Sequence, residues 1–154
     1  MNSTQFAYRQ AAAQGTSGIA LLIVLYDTLA GDLRRAAEAE RRNRIEKRCQ
    51  EVNHAFLVIG HLEDAVRRSD GGELSEQLLA FYASLRRALI RAQVNRSAEL
   101  LDRQMEEVLR IREIWQNKEL RRPPEPEASA APEAPSFSSL IPAQDRMHTS
   151  SWSA

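Results

Sequence analysis

Few residues of this chain have the type and spacing that catalysis or metal binding demands. Glu51 and His54 make one Glu-x-x-His step. A carboxylate-bridged di-iron site in a helical bundle needs that step twice, with two further glutamates. His54 and His61 lie two helical turns apart on one stretch, too far to share one ion. Cys49 and His54 fall on different faces of a helix. Gly71-Gly72-Glu73-Leu74 lacks the lysine and the spacing of a phosphate-binding loop. No serine stands in a Gly-x-Ser-x-Gly context. The chain is therefore expected not to be an enzyme and to use no cofactor and no metal.

The other chemical candidates are arginine pairs, at Arg34-Arg35, Arg41-Arg42, Arg67-Arg68 and Arg86-Arg87. Such pairs can hold phosphates. Acids stand among them, including Glu38, Glu40, Glu46 and Glu63, which suits solvated helix faces laced with ion pairs one turn apart. The formal net charge is zero, against a general polyanion binder. No nucleic-acid partner is expected.

What could position any site is a set of helices. All six prolines lie at or beyond Pro123, and glycine is sparse between residues 19 and 122. That composition permits helix throughout. The periodicity predicts helices over about 18–41, 44–68, 73–93 and 98–119. Ser69-Asp70-Gly71-Gly72 is a turn signal, and Asn43 and Asn95–Ser97 mark the other links. Thr16 or Ser17 is placed to cap the first long helix. Short links imply antiparallel neighbours. The fold class is all-α, an antiparallel up-down four-helix bundle. Residues 1–17 are expected to form an N-terminal arm or short helix, residues 18–122 the bundle domain, and the Pro/Ser-rich residues 123–154 a disordered tail. Phe137, Leu140, Ile141 and Trp152 are isolated apolar residues in that tail.

The stretch that dominates the pattern is Ile19–Tyr26, eight residues without a charge. It is too short to cross a bilayer, which takes about 20 apolar residues, so no membrane insertion is expected. It is also apolar on more than one face. Leu22, Tyr26, Leu29 and Leu33 make one row, and Leu21, Leu25 and Thr28 run beside it. On the second helix, Val52, Phe56 and Ile59 are flanked by a row of Ala55, Val58 and Leu62. Such surplus apolar surface suits a helix-in-groove partner. We assign the boundary of Leu21, Leu25, Ala55, Val58 and Leu62 to that groove, with Tyr26 beside it, and expect Phe6 and Tyr8 of the arm to lie over it. Self-association into a weak homodimer through the same faces is the alternative. One cysteine, Cys49, excludes an internal disulfide and fits a reducing compartment. The N-terminus lacks a basic region followed by an apolar core, and a cytoplasmic protein is expected.

The order of short motifs resembles the flagellin export chaperones, the FliS family. The residues that carry the likeness are Ser17-Gly18, Leu21 and Leu25-Tyr26-Asp27-Thr28, then Val52, His54-Ala55, Val58-Ile59 and Leu62. Further on come Gly71-Gly72-Glu73-Leu74, Phe81-Tyr82, Arg87-Ala88-Leu89, Ala92-Gln93 and Ile111-Arg112 up to Trp115, with Tyr8 as the aromatic near the N-terminus. Gly18 stands where the family has proline, Thr28 where it has glycine, His54 where it has lysine and Ala88 where it has arginine. The likeness spans about residues 6–116. It implies a cytoplasmic bundle that binds the C-terminal segment of flagellin, prevents premature polymerisation and keeps it ready for type III export, with the export apparatus as a further partner.

Overall fold

The structure, a computed structural model, describes residues 18–123. It holds four α-helices, α1 (Gly18–Arg41), α2 (Ile45–Arg67), α3 (Gly72–Val94) and α4 (Ala98–Leu120), with no strand among the described residues. The links are short and each has a local cause. Asn43 and Arg96 take positive φ, 55° and 51°, and close the α1–α2 and α3–α4 turns. The Ser97 hydroxyl caps α4 by accepting from the Leu100 N–H at 3.2 Å. The α2–α3 turn favours glycine at position 72 and is crowded at position 71. Gly72 has φ +55°, and a Cβ on Gly71 would meet the Ser75 hydroxyl at 2.2 Å. The caps expected at Thr16 or Ser17, the N-terminal arm and the tail lie outside the described residues.

Ion pairs fix the helix directions. Asp32 pairs with His54, and Arg35 with Glu51, between α1 and α2. Asp27 pairs with Arg112, and Arg41 with Asp102, between α1 and α4. In each set the residue number rises on one helix as it falls on the other, so α1 runs antiparallel to both. α1 packs broadly on α2 and α4, and α3 touches its two neighbours less. Tyr26 of α1 and Tyr82 of α3 meet hydroxyl to hydroxyl at 2.6 Å, both fully buried.

This arrangement explains the apolar surplus of α1. A helix with close neighbours on two sides buries two rows, not one. Leu29 and Leu33 of the first row and Leu25 of the second are all buried, and so are Ala55, Val58 and Leu62 of α2. The expected groove at the α1–α2 boundary is therefore closed. Val58 is fully buried and belongs to the core, and Tyr26, Leu25, Ala55 and Leu62 belong there with it. Rotation of α2 also differs from expectation. Ile45 is exposed, and Phe56 is half-buried beneath the Arg86 guanidinium, 5.8 Å from its ring centre.

The core residues run from Leu25 to Val108. A chain ending at Pro123 is thus expected to melt within about 5 °C of the full chain, a shift worth roughly 1 kcal/mol for a domain of this size. A larger fall in a thermal melt would show that residues 124–154 stabilise the bundle.

Candidate functional site

One end of the bundle is tied and the other is open. At the tied end, Glu40 of α1 accepts from Arg48 of α2 and, at 3.2 Å, from Arg96 of the α3–α4 link. Arg96 also donates to the Asn43 side chain. The two turns with positive φ are thus stitched together. Burial pulls the Glu40 carboxyl upward, but its bonds to Arg48 and Arg96 outweigh that, and it sits below the ordinary carboxylate value. Glu51, bonded by Lys47 and Arg35, is lowered against burial in the same way. A carboxyl lowered in the fold contributes stability above its unfolded value and loses it as pH falls through the folded one. Melting temperature is expected to fall as pH drops below about 4, the unfolded carboxylate range, and Glu40→Gln should melt lower at pH 7 but lose less on acidification. Equal acid losses in both proteins would show that Glu40 carries none of the effect.

Asp32 shows the opposite shift. It is fully buried, and desolvation raises it despite His54 Nδ1 at 2.6 Å and the Arg35 guanidinium at 2.6 Å. This polar knot seals the α1–α2 boundary along from the closed apolar rows. Nothing among the described residues groups three or more metal-binding side chains. At least one member of each arginine pair is engaged by an acid: Arg35 with Asp32 and Glu51, Arg41 with Asp102, Arg42 with Glu38, Arg67 with Asp64 and Arg86 with Glu63.

At the other end, where α3 begins and α4 finishes, the two helices part around an apolar groove of about 230 Å³. Leu74, Leu78 and Phe81 line it from α3, and Ile111, Ile114 and Trp115 from α4. Gln77 and Lys118 are its polar lining residues. Leu78 is the one wall that is also core; Leu74 and Ile114 are 43% and 64% exposed. Trp115 links groove to core. Its buried Nε1 lies beside the Tyr26 hydroxyl, without a well-aligned hydrogen bond. Desolvation raises the Tyr26 hydroxyl above its ordinary value and the Tyr82 hydroxyl well above it, so both stay neutral.

The sequence-predicted site residues do not come together on a surface. Leu25, Tyr26, Ala55, Val58 and Leu62 are interior, Leu21 is half-buried in the first turns of α1, and Tyr8 lies outside the described residues. The groove is built instead from Leu74, Phe81, Ile111 and Trp115, which the sequence marks only through the order of short motifs, together with Leu78, Ile114, Gln77 and Lys118. The available signal was Ile114 and Leu120, two large apolar residues on the wet side of α4. No helix among the described residues is long and apolar enough to cross a membrane.

No curated protein matches the chain. A family model, described as flagellar protein FliS, matches residues 1–121. That span covers all four helices and the whole core. It agrees with the motif order read from Tyr8 to Trp115, and the chain belongs to the FliS family of flagellar proteins.

Proposed function

We propose that this chain is a cytoplasmic export chaperone that binds the C-terminal segment of flagellin, holds it back from premature polymerisation and presents it for type III export. The observation that carries the reading is an open apolar groove between α3 and α4 on a member of the FliS family. Two large apolar side chains fill about 230 Å³, and an amphipathic helix offers two such residues one turn apart. The groove needs no catalytic group to serve this role. Leu25, Tyr26, Ala55, Val58 and Leu62 then support binding from within, by fixing the helices that frame the groove. Leu21 and Tyr8 remain candidates for a contact at the open end, with the N-terminal arm as a competitor of the client and the export apparatus as a second partner.

The experiment is a calorimetric titration of the full chain with a peptide of the flagellin C-terminal segment, beside a measurement of mass against concentration. Saturable binding by a monomeric chain is the expected result. No heat of binding, with mass rising with concentration, would instead favour a self-associating bundle.

A further inference from the structure

Resting on that reading, we propose that Lys118 selects what enters the groove by pairing with a carboxylate on the incoming helix. The ligand class is then an acidic amphipathic helix: two large apolar residues one turn apart, and an Asp or Glu a further turn toward the C-terminal end of α4. The groove wall is apolar apart from Gln77 and Lys118. The Gln77 amide already donates to Glu73 at 3.3 Å. Lys118 is exposed, and among the described residues it pairs with no carboxylate. Its ammonium stands 5.4 Å from the centre of the Trp115 ring. The aromatic face holds the cation at the mouth of the groove without neutralising it.

The spacing along α4 defines the geometry. Ile111, Trp115 and Lys118 follow at i, i+4 and i+7, so they share one face. An entering helix that seats apolar side chains against Ile111, Ile114 and Trp115 brings its next turn to Lys118. A free cation beside an apolar slot disfavours a basic helix and favours an acidic one. A lysine in the last turn of a helix also has a local use, since it complements the negative end of the helix dipole. That local role predicts an effect on stability and none on partner charge, so the two are separable.

The test uses the full chain and the flagellin C-terminal peptide, together with peptides in which each Asp or Glu is changed singly to Asn or Gln. Binding is titrated against the wild type, Lys118→Gln and Lys118→Glu, with a thermal melt of each. Lys118→Glu is expected to weaken binding about tenfold and Lys118→Gln about threefold, in the range of exposed to partly desolvated ion pairs. One neutralised peptide should bind the wild type about threefold more weakly, yet bind Lys118→Gln no more weakly than the parent peptide does. Equal affinity of Lys118→Glu and wild type overturns the proposal. So does a loss that is the same for every peptide variant in both backgrounds. In either case parent-peptide binding to the wild type leaves the chaperone reading standing. Absence of that binding overturns both.

Discussion

Val58→Asp is expected to unfold the free chain. Val58 is fully buried in α2, within the core formed with Leu25, Ala55 and Leu62. Aspartate there would hold an ionised carboxylate without a cation, or be forced to stay protonated without an acceptor. An uncompensated buried charge costs about 3–5 kcal/mol, and the removed methyl contacts add roughly 1 kcal/mol. A single domain has about 5–15 kcal/mol in total. The variant should lose its cooperative melt or melt more than 15 °C below wild type, taking roughly 4 °C per kcal/mol at this size. Circular dichroism against temperature reads this directly. A melt within a few degrees of wild type would place Val58 at a water-accessible boundary, as its position on a helical wheel alone suggests. Phe56, half-buried under Arg86, should cost less on truncation than its type suggests.

The contrast between these two residues shows what could be read from the sequence. The four helices were legible almost to the residue, since their interiors hold no proline and their ends carry Asn43, Gly71-Gly72 and Ser97. The antiparallel order followed from link length. Rotation was not legible. A wheel places Val58 and Phe56 about 160° apart, on nearly opposite sides of α2, but which side meets a neighbour depends on where α1, α3 and α4 lie. α1 packs closely on both sides, so Tyr26, Leu29 and Leu33 of one row, Leu25 of the other and the facing row of α2 are buried. α3 packs less, so Leu74 stays exposed to water and, with Phe81 and the core residue Leu78, lines a groove. The same residue types thus serve as core on one side of the bundle and as a candidate binding surface on the other. Asp32 illustrates a second limit. Its sequence neighbours give no sign that a carboxylate in an apolar helix will meet His54 and Arg35 across a helix interface.

If the groove is the client site, charge placed on its exposed walls should abolish binding and spare the fold. Leu74 and Ile114 keep 43% and 64% of their surface in water, so Leu74→Asp and Ile114→Asp add a solvated carboxylate to the free protein. Glu73 already stands exposed in the first turn of α3, and an acid at position 74 suits the positive end of the helix dipole. The melts should therefore move by only a few degrees. A helix seated in the groove would strip water from both carboxylates and leave them without donors. Each unpaired buried group costs about 1–3 kcal/mol, so each single variant should lose about tenfold in affinity and the double variant at least a hundredfold. The two positions lie on opposite walls, α3 and α4, so a partner that touches one wall alone would show the loss in one variant and not the other. Titration of the flagellin peptide into all three variants, with melts on the same samples, distinguishes these outcomes. Wild-type affinity in the double variant would remove the α3–α4 groove as the client site and return attention to Leu21 and the first turns of α1.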